Sequence, residues 1–371
     1  MIHSVEIENF KNIRHQKIDL ERLTVFVGPN GCGKTSVLQA IHRAMQAVAT
    51  TDSRHHQWWK DRPGPWPLSL DWIRTRGTSG ELKFRIEATS GECDVVFRPL
   101  EPELKSVTEN RSWSPEVNIR RRQAGTDFSI SLARLLAVRF DASKLSSPSY
   151  SDRSTPLLNE NGKGLPSVLA FMALNDPDGF ETLVDEFRTL IPQVRRLRFT
   201  KMPVEREETE LVRFGNESIE RKIVREFQGD AILIDYQNAK GVLAQTVSEG
   251  TMLLLGLLTV LLGPNAPDVL LLDDIEHGLH PLAQKTLIET LSTILDRFPN
   301  LQILATAHSP YLLDSLKPEQ VRLMTIGADG YSVYGKLTDH PDFERWKDEM
   351  APGELWSLFG EKWLAEAGAT P

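Results

Sequence analysis

Gly28-Pro29-Asn30-Gly31-Cys32-Gly33-Lys34-Thr35 fits the phosphate-binding pattern G-x-x-x-x-G-K-[ST], and its neighbours are the ones the pattern requires. Leu23-Thr24-Val25-Phe26-Val27 before it reads as a short buried strand. Ser36-Val37-Leu38-Gln39-Ala40-Ile41 after it reads as the start of an amphipathic helix. Glycines let the backbone bend tightly and turn its N–H groups toward a phosphate. The helix N-terminus adds a partial positive charge of about half a unit. The loop from Asn30 through Gly31, Cys32 and Gly33 to Ser36 is therefore expected to cradle a nucleoside triphosphate. Lys34 is expected to reach its β- and γ-phosphates, and the Thr35 hydroxyl to ligate Mg²⁺.

Composition bounds what surrounds this loop. The 371 residues are 40% hydrophobic and 25% charged, as in an ordinary globular protein with a sizeable core. A net charge of −8 argues against coating nucleic acid, so any DNA contact needs a local basic patch. Of the two cysteines, Cys32 lies inside the phosphate loop, where a disulfide would disturb the site; a reducing, cytoplasmic setting follows. The N-terminus alternates like a strand and carries no signal-peptide pattern. The longest apolar run, Met252 to Leu262, is shorter than the roughly 20 residues that span a bilayer and is expected to be a buried helix. No membrane contact is expected.

Ahead of the loop, Ile2, Val5, Ile7 and Phe10, then Ile13, Ile18 and Leu20, mark two or three short strands. Leu68–Trp72, Leu82–Ala88 and Val95–Arg98 also read as strands, giving an antiparallel β-subdomain beside the nucleotide. Thr50 to Pro67, with His55, His56, Trp58, Trp59 and Trp66, reads as an irregular segment packed by its own aromatics. Pro99 to Thr126 is polar and holds Arg120-Arg121-Arg122, read as a solvated turn with a phosphate clamp as the alternative. The apolar stretch Leu132 to Phe140 is followed by Asp141 to Pro166, a Ser-, Pro-, Asn- and Gly-rich loop or lid. Pro166–Leu190 is helical with a break at Asp176-Pro177. Val194 to Lys201 alternates and carries Arg195, Arg196, Arg198 and Lys201, the one candidate basic strip. No long heptad run or internal repeat occurs.

A second set of motifs lies past residue 240. Asp268-Val269-Leu270-Leu271-Leu272-Asp273-Asp274-Ile275-Glu276 is an apolar strand that ends in acids, as expected at the centre of a covered parallel sheet. Its carboxyl end would lie beside the phosphate loop, where such sheets bind ligands. Asp273 is placed to hold Mg²⁺, while Asp274 and Glu276 could each orient or deprotonate the attacking water. A second apolar strand, Leu301 to Ala307, ends in His308-Ser309-Pro310, where His308 can reach the γ-phosphate. Val247-Ser248-Glu249-Gly250-Thr251 precedes the apolar helix and makes a second phosphate-binding end, with Ser248 also fitted to a plain N-cap role. A chain with one nucleotide loop and a second such turn points to face-to-face dimers, in which Ser248, Glu249 and Gly250 cover the partner's nucleotide.

As a set these residues resemble the ABC-class ATPase heads of the RecF/SMC/OLD lineage, and more narrowly the stand-alone AAA_21 ATPases of bacterial defence and repair modules. The resemblance rests on Ile7-Glu8-Asn9-Phe10-Lys11, Val27-Gly28-Pro29-Asn30-Gly31, Ser248-Glu249-Gly250-Thr251, Asp273-Asp274-Ile275-Glu276 with Gly278-Leu279-His280-Pro281, and Thr306-Ala307-His308-Ser309-Pro310. It implies an α/β P-loop NTPase of ABC type, with a central mostly parallel sheet, an antiparallel β-subdomain and a helical signature lobe. The expected head spans 1–320: an N-terminal lobe at 1–100, a helical and β insertion at 101–240, and signature, Walker B and switch histidine at 241–320. A C-terminal extension occupies 321–371. Cofactors would be ATP and Mg²⁺. ATP would join two heads into a homodimer or higher oligomer, and hydrolysis would release them.

The family's usual catalytic glutamate is Asp274 here, one methylene shorter. Alignment favours Asp274 as base, with Glu276 as its rival, and no Q-loop glutamine can be placed. About fifty residues follow Pro318, too few for a nuclease domain of ordinary size. Two roles stay open: an ATPase that controls a separate effector protein in anti-phage defence, or a repair ATPase that binds DNA ends or gaps. A non-hydrolysing nucleotide scaffold is the third. The aromatic C-terminal stretch, Phe343 to Leu364, is expected to dock on the chain's own core or on a partner.

Overall fold

The computed structural model describes residues 1–50, 81–99, 113–121, 134–214, 217–263, 266–277 and 279–367. The expected strand Leu68–Trp72, the aromatic segment from 51 to 67, Arg122 and Gly278 lie outside the described residues. The chain forms two compact units: Met1–Arg139 with Pro267–Pro371, and Phe140–Ala266.

The first unit holds two sheets. Strands β1 (Ile2–Phe10), β2 (Ile13–Asp19), β4 (Leu82–Ala88), β5 (Gly91–Pro99) and β6 (Trp113–Arg121) form an antiparallel sheet in the order β2-β1-β4-β5-β6. Its apolar residues alternate, and one face is buried: Val5, Ile7, Phe84, Ile86 and Val95 are wholly covered or nearly so. Strand β6 arises within the stretch read as a polar turn. Its Val117 and Ile119 pack on the core while, among the described residues, it is bonded along one side only, which suits a sequence too polar for an inner strand.

The second sheet has β3 (Leu23–Val27), β7 (Leu135–Val138), β11 (Val269–Leu272), β12 (Gln302–Ala307), β13 (Val321–Ile326) and β14 (Ser332–Lys336), ordered β14-β13-β3-β12-β11-β7. All neighbours are parallel except the β13–β14 hairpin. Every residue of β3, β7, β11 and β12 is buried, as a sheet covered on both faces demands. Residues 321–336 thus belong to the central sheet. Helix α1 (Lys34–Thr50) contacts strands of both sheets, and its Val37, Leu38, Ile41, Ala44, Met45 and Val48 recur at helical spacing in one core.

Gln302 stitches the two sheets together. Its wholly buried amide accepts from Ile2 N–H at 2.8 Å and donates to Ile2 C=O at 2.7 Å, so one side chain acts as a strand partner for β1. Arg322, also wholly buried, donates to the carbonyls of Asp19 and Val321. Helices α6 (Pro281–Arg297), α7 (Pro310–Leu313), α8 (Phe343–Trp346), α9 (Pro352–Phe359) and α10 (Lys362–Ala367) complete the unit. The C-terminal aromatic stretch docks on the chain itself: Phe343, Leu355 and Leu364 are buried, and Gly353 donates to Asp314 at 2.9 Å.

The second unit holds α2 (Ala142–Ser146), α3 (Leu165–Asn175), α4 (Pro177–Leu190), β8 (Val194–Phe214), β9 (Glu217–Tyr236), β10 (Val242–Leu243) and α5 (Glu249–Leu262). Helix α5 is buried on all sides from Thr251 to Leu261, as its unbroken apolar run requires. The break at Asp176-Pro177 is present, with Asp176 capping α4. The stretch read as a loop or lid contains the capped turn α2, and Ser149 bonds to Ser167 and pairs with Asp230.

The basic strip at Val194–Lys201 begins a hairpin of 21- and 20-residue strands, β8 and β9. Two of its four cations are neutralised across the hairpin. Arg198 is bidentate to Asp235, at 2.7 and 2.9 Å, and Lys201 bonds Asp230 at 2.7 Å. Among the described residues no helix is long and apolar enough to cross a membrane.

Replacing Gln302 by Met keeps its volume and removes its bonds, leaving the buried Ile2 N–H unsatisfied. A loss of about 1–3 kcal/mol is expected in urea denaturation; an unchanged midpoint would show that the stitch contributes nothing.

Candidate active site

The parallel register brings the carboxyl ends of β3, β12, β11 and β7 to one edge. The phosphate loop leaves β3 there. Gly28 and Gly33 have φ of 146° and 110°, and a Cβ would lie 2.0 Å from Met324 O and 2.5 Å from Ser332 Oγ respectively, so both positions require glycine. The loop carbonyls are held by side-chain donors. Lys34 Nζ donates to Gly28 O and Pro29 O at 2.8 Å, Asn12 Nδ2 to Gly31 O at 2.8 Å, and Ser332 Oγ to Cys32 O at 2.6 Å. The N–H groups of Lys34, Thr35 and Ser36, in the first turn of α1, are the donors that a helix N-terminus offers to an anion. Asn30 and Gly31 are exposed, Cys32, Gly33 and Ser36 buried, and Thr35 half-buried. Burial holds the Lys34 pKa below its ordinary value and pushes that of Cys32 up, so this thiol is not a ready nucleophile.

At the end of β11 the first acid ties three elements together. Asp273 Oδ1 accepts from Thr35 Oγ1 on α1 and from Thr306 Oγ1 on β12, both at 2.8 Å. Thr306 Oγ1 also accepts the Asp274 N–H at 2.8 Å. Asp274 adopts φ of 52°, uncommon for a residue with a side chain, although aspartate tolerates it better than most. Its Oδ2 accepts from Arg139 Nη2 at 2.7 Å, and its Oδ1 lies 3.4 Å from His308 Nε2.

Glu276 Oε1 accepts the backbone N–H of His308, while its buried Oε2 has no hydrogen-bond partner among the described residues. Burial raises the Glu276 pKa above the ordinary glutamate range. Burial and then Lys34 lower that of His308, with Asp274 opposing them.

One unit therefore brings together Lys34, Thr35, Ser36, Asp273, Asp274, Glu276 and His308. Ser248, Glu249 and Gly250 lie in the other unit, where Ser248 caps α5 and shares a 2.7 Å bond with Thr251 Oγ1. Several contributors carried no signal in the sequence. Arg139 sat unremarked in the apolar stretch ending at Phe140. Asn12 occupies the β1–β2 turn, next to Lys11, which stood in the Ile7–Lys11 stretch without a role and which, at φ of 54°, bonds Gln39. Thr306 lay in a motif singled out for its histidine.

Residues 23–314, most of the chain, match the family model AAA_21, described as "AAA domain, putative AbiEii toxin, Type IV TA system". The chain belongs to the AAA_21 family. Its fold is similar to that of ABC-type heads, and a stretch of its sequence is similar to RecF. This AAA_21 chain is 33% identical over 85 residues to a "DNA replication and repair protein RecF" from Chlorobium luteolum, covering 22% of each protein. It is also 33% identical over 60 residues to the "Retron Vc95 probable ATPase" of Vibrio cholerae, covering 16% of this chain and 11% of that one. The chain thus spans less than a quarter of the length of either curated relative. An SMC head solved with the C-winged helix domain of ScpA matches with a TM-score of 0.55 at 15% identity, over 92% of this chain and 99% of that one. An SMC head with an extended coiled coil, bound to the ScpA C-terminal domain derived from Pyrococcus furiosus, gives 0.50 at 14% identity, over 94% and 99%. Both establish the ABC-type head fold.

The raised Glu276 pKa has a pH signature. A carboxyl that holds its proton more tightly when folded favours the fold at low pH. As the pH rises above the ordinary glutamate range, the unfolded chain ionises first and the fold loses stability. Glu276→Gln lacks this titration, so its melting temperature should gain on that of the parent as the pH climbs through that interval. Differential scanning calorimetry from about pH 4 to 8 checks this; a constant difference would contradict it.

Proposed function

We propose that this chain binds ATP with Mg²⁺ on the Gly28–Thr35 loop and hydrolyses it, with Glu276 preparing the attacking water. The observation that carries this reading is the 2.8 Å bond between Thr35 and Asp273, which joins the phosphate loop to the acidic strand end. A hydroxyl and a carboxylate are hard oxygen donors of the kind Mg²⁺ selects, and these two residues would hold it. When bound, the ion would neutralise charge on the β- and γ-phosphates. Lys34 and the loop N–H groups bind the phosphates, and His308 meets the γ-phosphate.

Glu276 is the better base because one of its oxygens is fixed and the other is buried without a partner, whereas both Asp274 oxygens face cations or imidazole. Steady-state and single-turnover hydrolysis test the reading. Lys34→Ala should lose turnover. Glu276→Gln should lose roughly 100-fold or more in kcat, the scale of general-base catalysis, and Asp274→Asn distinctly less. A Glu276→Gln chain that turns over normally would return the role to Asp274.

We further propose that ATP closes two chains face to face, each Ser248-Glu249-Gly250 turn covering the partner's nucleotide, and that this clasp controls a separate effector protein in anti-phage defence. The likeness to the retron ATPase and the family's toxin–antitoxin description support the defence role. A RecF-like role on DNA ends or gaps draws support from the longer RecF match, while the pairing of Arg198 and Lys201 with aspartates weakens it. Glu276→Gln with ATP should sediment as a dimer, and Ser248→Arg should abolish that. ATP-independent monomers would refute the clasp. Duplex-DNA affinity falling steeply with salt would favour the RecF-like role.

A further inference from the structure

Arg139 is the first residue past β7, at the edge of the central sheet where the acids sit. Leu272 pairs with Val138, and the Asp273 N–H donates to Val138 O at 3.1 Å, so the backbone next to Arg139 is pinned to the backbone of the first acid. The next acid, Asp274, is fixed through its main chain by the bond from its N–H to Thr306 Oγ1. Only its side-chain torsions remain to be set. One carboxylate oxygen is taken by Arg139 at 2.7 Å, and the other faces the His308 ring at 3.4 Å. The ring in turn hangs from a residue whose own N–H is held by Glu276.

An ion pair on an open surface contributes little. Arg139 is 53% exposed, but this pair differs because the Asp274 side chain is only 20% exposed and sits on a left-handed backbone, a conformation kept where the surroundings over-determine it. An aspartate is also too short to reach where a glutamate would at the same position. The carboxylate is thus placed to orient a neighbour.

We propose that Arg139 is a positioning residue that acts through Asp274 on His308: the guanidinium fixes the carboxylate, and the carboxylate fixes the imidazole that meets the γ-phosphate. The inference rests on the reading of this edge as the hydrolytic site. It assigns Asp274 an orienting role and leaves Glu276 as base.

The test is a set of double-mutant cycles on the full chain, with ATP hydrolysis and the affinity for a fluorescent ATP analogue both measured. The parent and Lys34→Ala come first: a parent without turnover would sink the underlying reading rather than this inference. Given turnover, Arg139→Ala should lower kcat roughly 10-fold, as loss of a supporting partner does, with KM and analogue affinity unchanged. Asp274→Asn should fall to a similar rate. Neither should lower the rate further in a His308→Ala background. Arg139→Lys should recover most of the loss, since one charged donor suffices for the single bond seen.

Parental kcat in Arg139→Ala would overturn the proposal. So would losses that multiply with those of His308→Ala, or a weakened analogue affinity, which would place Arg139 on the nucleotide. Should Arg139→Ala fail to fold, Arg139→Gln and Asp274→Asn carry the same cycle, and the same results support or overturn the proposal.

Discussion

A buried carboxylate oxygen shared by two threonine hydroxyls is the constraint on which this molecule's active edge depends. Asp273 is 4% exposed and sits at the end of a strand buried on both faces. Stripping water from an ionised carboxyl costs several kcal/mol unless donors replace it. Two of the donors here are Thr35, from the helix that follows the phosphate loop, and Thr306, from the neighbouring core strand. To satisfy one acid, the chain must bring residues 35, 273 and 306 to a single point. The parallel register makes this possible, since β3, β11 and β12 all deliver their carboxyl ends to the same edge.

Three carboxylates within four residues would repel one another in a uniform medium. Their surroundings set them apart. Asp273 accepts from neutral hydroxyls, Asp274 is paired with a cation, and Glu276 is half sequestered, with one oxygen bonded and its pKa raised by burial. Environments that push like groups apart are how one fold assigns different tasks to the same chemistry.

Much of this was legible in the residues. The G-x-x-x-x-G-K-[ST] loop, the apolar strands of residues 269–272 and 302–307 and the alternating N-terminal strands appear where their patterns place them, because each is a local signal tied to burial. The β8–β9 hairpin beyond Lys201 was not legible. From Glu205 to Glu210 the strand is polar on both faces and mostly exposed, so no hydrophobic period announces it; it is held by backbone pairing and by cross-strand pairs such as Arg225 with Glu208. Strand β6 was hidden for a related reason: the residues described as packing on the core, Val117 and Ile119, are only partly buried. At the site, Arg139 and Asn12 were invisible because their roles arise from contacts with residues 135 and 19 positions away, and nothing in their own neighbourhoods marks them.

The strand order also has a consequence for biosynthesis. Strand β3, wholly buried in the finished fold and complete by residue 27, finds both of its neighbours in β12 and β13, between residues 302 and 326. On a ribosome adding 5–20 residues per second, that strand waits roughly 15–60 s before either edge can be paired. Over that interval the nascent chain carries a mostly hydrophobic segment with two open edges, the kind of surface that chaperones bind and that seeds misassembly. The first motif to be translated is therefore among the last to be closed into the fold, and the phosphate loop takes its final shape only when the far end of the central sheet has been made.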